Sequence, residues 1–225
     1  MSLQSDNPDA AVSGTTDAEL ARLREHVAAG GALIGAELSE VDLRGVDLSR
    51  ADLRGATLVA CRFDGAIRAA REATFIDCEL VGIDLEEAAL SEATFERCDM
   101  QRANLARADL FMADLSGSNL SGASLAGAVA VDASLTEADL TGADLRGINL
   151  TGGSLVNATL AEANLEGTDL SGATLYGCNL AGANLRHAHI AESSLDGVDL
   201  REVQLDEATK LVQTLFEGAN GAGKC

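Results

Sequence analysis

A five-residue period governs this chain. Ala51-Asp52-Leu53-Arg54-Gly55, Ala108-Asp109-Leu110-Phe111-Met112 and Ala163-Asn164-Leu165-Glu166-Gly167 are three of 34 units with a small first residue, usually a polar second and an apolar third. The third positions recur every five residues from Leu33 to Phe63 and, after a change of phase, from Phe75 to Leu205. Five matches neither the 3.6 residues of a helical turn nor the 2 of a strand, so the chain must turn a corner once per unit. Units of this kind stack on their neighbours and share one continuous core, which makes the chain one repeat domain with short ends.

Charge distribution says which way each position points. Across the long run no first or third position carries a charge, whereas charges crowd the other three. First and third side chains therefore face inward and the rest face solvent. Phe75 and Phe95 lie twenty residues apart, as do Cys78 and Cys98, so like residues are expected to stack coil on coil.

These units resemble the A(D/N)LXX motif of the pentapeptide-repeat family, over residues 31–207. The resemblance implies an all-β solenoid: a right-handed quadrilateral parallel β-helix in which the same face recurs every twenty residues. With coils ~4.8 Å apart, roughly 8.5 coils make a rod about 40 Å long. Its Leu and Ala interior leaves little room for a cofactor, and its ladders need covering at both ends.

Short helical caps are expected at both ends. After a disordered tail over 1–15, Thr16-Asp17-Ala18-Glu19 is a capping-box pattern, Leu20, Leu23 and Val27 form one helical stripe, and Gly30-Gly31 stops it, giving a capping helix over 16–30. At the far end a helix over 208–217 places Leu211, Val212, Leu215 and Phe216 on one face, as a cap or a homodimer contact, before a flexible tail over 218–225. Between the two runs, Ala66 to Glu72 is seven residues where one unit would fit. Arg68 would fall at an inward position, which is costly without a partner, so a loop over 66–72 is expected to leave the wall. It is either a tolerated insertion or a contact element.

Candidate chemistry is sparse. Gly218-Ala-Asn-Gly-Ala-Gly223-Lys224-Cys225 nearly spells a phosphate-binding loop, but Cys replaces the Ser or Thr hydroxyl and no helix follows. His187 and His189, with Glu192, lack an evident set of further metal ligands. The third histidine, His26, lies in the N-terminal helix, so no nucleophile–histidine arrangement can be argued. Four of the five cysteines, Cys61, Cys78, Cys98 and Cys178 but not Cys225, occupy the small first position, as core fillers in a reducing compartment. The expectation is a cytoplasmic protein that is not an enzyme and takes no cofactor or metal.

The surface carries the functional signal. Net charge is −20, and the four walls of the long run, centred on Phe75, Leu80, Leu85 and Leu90, carry −4, −4, −4 and −5. Acid on every side argues against direct nucleic-acid binding. Duplex DNA of the same ~32 Å length would carry about 19 phosphates, against 17 net negatives here. The wall centred on Leu90, Leu110, Ala130, Leu150, Leu170 and Ile190 carries Glu92, Asp109, Asp132, Asp169 and Glu192 with no Lys or Arg. On it Phe111, Met112, Val129 and Val131 stand where polar residues or Gly are usual. An apolar cluster bordered by acids is a candidate protein-binding patch.

Ala73-Thr-Phe-Ile-Asp-Cys78 and Ala93-Thr-Phe-Glu-Arg-Cys98 resemble the early coils of family members that protect DNA gyrase and topoisomerase IV, which implies a DNA-mimicking protector or inhibitor. The run from Ala73 to Glu207 lacks the second loop that plasmid-borne members possess. On this reading Asp109, Phe111, Met112, Val129, Val131, Asp132, Arg68 and Arg71 contact the partner, a type II topoisomerase. The alternative is a rigid scaffold or adaptor for another protein assembly.

Overall fold

The computed structural model describes residues 31–44, 52–63 and 65–210, with 12–13, 21–23, 25–26 and 29. Five short strands, β1 (Val12–Ser13), β2 (Glu37–Ser39), β3 (Thr57–Val59), β4 (Thr74–Ile76) and β5 (Thr94–Glu96), pair in sequence order, and every pairing is parallel. Beyond β5 the ladder continues as single bridges at each second position. Thr94, Asp99, Asn104 and Asp109 bridge Asp114, Asn119, Ser124 and Val129 in turn. Four bridged positions per twenty residues are the four walls of a right-handed parallel β-helix.

The inward assignment follows the period. Third-position Leu90, Leu110, Leu150 and Leu170 and first-position Ala88, Ala108 and Ala173 are buried, in one apolar cluster that runs from Leu33 to Leu200. Phe75 and Phe95 stack with ring centroids 4.7 Å apart at 3°, and Phe63 meets the Phe75 ring edge-on at 6.1 Å. Polar residues at first positions are satisfied by the backbone of the previous coil. Ser118 Oγ donates to Phe95 O (2.6 Å), Ser193 Oγ to Leu170 O (2.6 Å) and Thr168 Oγ1 to Leu145 O (3.0 Å). Cys61, Cys78, Cys98 and Cys178 are free and buried, and burial pushes the Cys178 thiol up to about 12.

Each corner is made by the fifth residue, which takes a left-handed backbone whether or not it is Gly. Glu92 (φ 59°), Met112 (φ 53°), Asp132 (φ 56°) and Glu137 (φ 60°) do so beside Gly142 (φ 64°) and Gly152 (φ 70°). The ladder holds these corners, since the Glu92 amide donates to Phe111 O (2.8 Å) and the Met112 amide to Val131 O (2.9 Å).

Three expectations are corrected. Val12 and Ser13, placed by sequence in a disordered tail, form β1 in register with Leu38 and Ser39, where they cover backbone groups that β2 would otherwise leave unpaired. The segment 66–72 does not leave the wall: Ala66 bridges Asp84, Ala69 bridges both Asp52 and Ala89, and Ile67 and Ala70 are buried. Leu58 pairs with Phe75, seventeen residues on, whereas Phe75 pairs with Phe95, twenty on. That coil is three residues short, not two residues long. Two corners are tightened, and Arg68 turns outward at the second of them to donate to Asp84. At the C-terminal end the ladder runs past 207, because Lys210 bridges His189 and Thr209 Oγ1 donates to Leu185 O (3.0 Å). Residues 208–210 therefore belong to a wall rather than to the start of the terminal helix.

The N-terminal helix is described in part. Residues 21–23 and 25–26 are helical, Leu23 packs against the core, and the Gly31 amide closes the helix on His26 O at 2.9 Å. Leu20, Val27 and residues 211–225, with Leu211, Val212, Leu215, Phe216 and Lys224, lie outside the described residues.

Candidate protein-binding surface

The wall centred on Leu110 runs through six coils joined by five bridges, since Ala89, Asp109, Val129, Asn149, Asp169 and His189 pair in succession. Second, fourth and fifth residues of each unit face outward here, Ser91 alone among those of residues 89–192 being buried, so sequence identity at those three columns decides what the wall presents. Phe111 and Met112 occupy the fourth and fifth columns of one rung, and Val129 and Val131 the second and fourth columns of the next. Phe111, Met112 and Val129 are 39%, 53% and 46% exposed, while Val131 is half-buried between columns. These side chains add nothing to the core, which is already closed beneath them by Leu110 and Ala130.

Carboxylates flank the cluster along the wall, and Asp109 and Asp169 are held by hydrogen bonds. Asp109 accepts from the buried Ser91 hydroxyl at 2.5 Å through Oδ2 and from the Phe111 amide at 3.2 Å through Oδ1. Asp169 accepts from the Ser171 amide at 3.0 Å. Burial pushes the Asp169 carboxyl up, but the Ser171 hydrogen bonds and the nearby His189 outweigh it and hold its pKa below the usual carboxylate value. Glu92 and Asp132 are exposed at the fifth column, one rung before and one rung after Met112.

The structure brings six of the eight sequence-derived contact residues onto this patch and separates the other two. Arg71 is on the same wall two rungs before Phe111, in the fourth column with the buried Ser91 between them. Arg68 is committed elsewhere: its guanidinium donates to Asp84 Oδ2 (2.5 Å) and Asp84 O (3.0 Å). Partial burial pushes Asp84 up, but Arg68 and the Glu86 amide outweigh it and hold the carboxyl below its ordinary value. Sequence reasoning missed Ile34, 49% exposed on the same wall, and Tyr176, 56% exposed on the wall of Leu175. Both occupy the fourth position, where the period places no demand on residue type, so their exposure could have been read from position alone.

Other candidate chemistry does not assemble. His187 Nε2 lies 3.3 Å from Asp206 Oδ2, and His189 belongs to a different wall. Among the described residues no group of three or more His, Cys, Asp or Glu is placed to hold a metal ion, and no helix is long and apolar enough to cross a membrane.

Comparison with known proteins places this architecture. Pentapeptide repeats, in eight copies, match residues 33–67, 71–111, 113–152 and 154–190, and the chain belongs to the pentapeptide-repeat family. Such proteins are solenoid binding scaffolds rather than enzymes. The crystal structure of HetL, a pentapeptide repeat protein involved in heterocyst differentiation regulation from the cyanobacterium Nostoc sp. strain PCC 7120, is 31% identical. The match covers 89% of this chain and 93% of HetL, with a TM-score of 0.68. QnrB1, a plasmid-mediated fluoroquinolone resistance protein, is 23% identical over 79% of this chain and 83% of its own, with a TM-score of 0.40. A pentapeptide repeat protein from the Arabidopsis thaliana thylakoid lumen is 34% identical over 42% of this chain and 69% of its own, with a TM-score of 0.35. No curated protein matches.

Proposed function

We propose that the protein is a non-catalytic binding rod that docks a basic protein surface along the Leu110 wall. One observation carries this reading: exposed Phe111, Met112 and Val129 sit on a wall that bears five carboxylates and no Lys or Arg over residues 89–192. Apolar contact area gives affinity, and one-signed charge gives steering and selects partners of opposite sign. The same charge opposes self-pairing through this wall. A groove made for DNA is the basic surface that the rod fits best, since its charge per length is of the order of the duplex. The specific reading is therefore competition with DNA on a type II topoisomerase in the cytoplasm, as protector or inhibitor. It is tested by DNA gyrase supercoiling with and without a fluoroquinolone, titrating the wild type and an Asp109→Lys, Phe111→Ser variant. Relief of poisoning or direct inhibition that the variant loses supports it, and no effect at tens of micromolar overturns it.

A second reading, a scaffold within a regulatory assembly, is favoured by the 31% identity to HetL along nearly its whole length. Salt separates the two. Partner binding that weakens steeply as salt rises fits charge mimicry, whereas binding carried by the apolar patch changes little.

A further inference from the structure

We infer that the Leu110 wall takes a cationic amphipathic helix laid along the rod axis, which deepens the reading of that wall as a protein-binding surface by naming the form of its partner. The argument rests on a match of two repeats. Glu92, Met112 and Asp132 occupy the fifth column of three successive rungs, linked by the amide of Glu92 to Phe111 O and of Met112 to Val131 O. All three are exposed and all three take the left-handed corner conformation, so they stand in one line at one edge of the wall. With rungs ~4.8 Å apart, the line reads acid, apolar, acid at about 0, 5 and 10 Å. A helix advances 5.4 Å per turn, so residues i, i+3 or i+4, and i+7 on one of its faces fall at about 0, 5 and 10.5 Å. Lys or Arg at i and i+7 with Leu at i+3 and i+4 therefore meets Glu92, Asp132 and Met112 in turn.

The rest of the wall agrees with this occupant. Phe111, Val129 and Val131 continue the apolar surface from Met112 across the wall, and Asp109, with both oxygens already oriented by Ser91 and the Phe111 amide, lies at the opposite edge. A helix with its side chains is about 10 Å across, close to the width of a wall three outward residues wide. An extended strand of the same composition puts alternate side chains ~6.8 Å apart and loses register with the rungs at the second contact. A second copy of this chain paired wall to wall is opposed by the five carboxylates that each wall carries.

The test uses the full-length protein and three fluorescein-labelled peptides, the first two being 15-residue peptides of Leu, Lys, Ala and Gln. One has Lys at i and i+7 and Leu at i+3 and i+4; a second is its scrambled isomer; decalysine is the third. Binding is read by fluorescence anisotropy at 50 and 300 mM NaCl. The spaced peptide is expected to bind roughly tenfold more tightly than the scrambled one, and to lose about tenfold with Met112→Ser or with Glu92→Lys. Tyr176→Ser, on another wall, should leave it unchanged. Equal binding of spaced and scrambled peptides, or insensitivity to both Leu110-wall variants while circular dichroism shows an intact fold, overturns the helix. If decalysine still binds in a way that Asp109→Lys weakens, the broader acidic binding wall survives that outcome; if no cationic peptide binds at 50 mM NaCl, both fall.

Discussion

Arg68 and Asp84 close the shortened coil: the guanidinium donates to both the carboxylate Oδ2 and the main-chain oxygen of the same residue, sixteen positions along the chain. An arginine at what would be an inward position is tolerated because the coil has lost three residues and its corner aims the side chain at the next rung.

Breaking that pair should cost stability without unwinding the rod. Arg68→Met and Asp84→Asn are each expected to lower stability by ~1 kcal/mol, with a coupling of about 0.5 kcal/mol because both groups are partly solvated. Urea denaturation of the two single variants and the double variant measures this, and strict additivity would show that the pair does not act as a unit.

The aromatic stack is the heaviest single element of the core. Phe95→Ala removes a ring fully buried between coils and should cost ~3–5 kcal/mol. Phe75→Ala, which also loses the edge contact with Phe63, should cost at least as much. Since the rings touch, the double variant should lose less than the sum.

Corner residues predict opposite signs for two exchanges. Gly142 has φ 64° with open space around a built Cβ, so Gly142→Ala should destabilise by ~1 kcal/mol through backbone strain alone. Glu137, exposed at φ 60°, is the reverse case, and Glu137→Gly should stabilise by ~0.5 kcal/mol. Thermal unfolding of the two variants checks both signs.

Acid should unfold the rod from about pH 4 downward. Arg54, Arg146 and Arg201 hydrogen-bond to Asp52, Asp144 and Asp199 and hold those carboxyls below their usual value against opposing burial. Groups with a lowered folded pKa contribute fully above the unfolded value of ~3.9, and that contribution is lost as pH falls through the folded value. Urea midpoints should therefore drop between pH 6 and pH 3, less steeply in Arg146→Gln. Relief of repulsion among 36 carboxylates acts in the opposite sense, so a rising midpoint would show that net charge dominates.

Core thiols should be inert until the coil opens. Burial raises Cys178 to about 12, and in Cys78 the hydrogen bond with Cys61 lowers the thiol but that with Cys98 and burial outweigh it and push it up to about 12. In a Cys225→Ser background, Ellman's reagent at pH 8 should label no thiol in buffer and four in denaturing urea.

Burial of the first and third residues was legible from the sequence because it follows position within the unit: Phe75 over Phe95 and the clustering of Phe111, Met112, Val129 and Val131 follow from counting by twenty. Counting fails where the count itself changes. Seven residues from Ala66 to Glu72 read equally as two added or three removed, and what decides is that Arg68 can reach Asp84, a contact no period encodes. Val12 and Ser13 were illegible for a related reason, since a two-residue strand has no period and is fixed by the free edge of Leu38 and Ser39.

A ladder of fixed rung is also a ruler. Exchanging side chains on its outer columns changes what a wall presents, but the interval between them is set by backbone hydrogen bonds that no such exchange stretches. A partner helix advancing 5.4 Å per turn over rungs of ~4.8 Å slips by about 0.6 Å each turn, so its contacts fall out of phase after roughly four turns. Lengthening the rod by further coils would add solubility and reach but not grip; the length of any helical epitope is capped by this vernier.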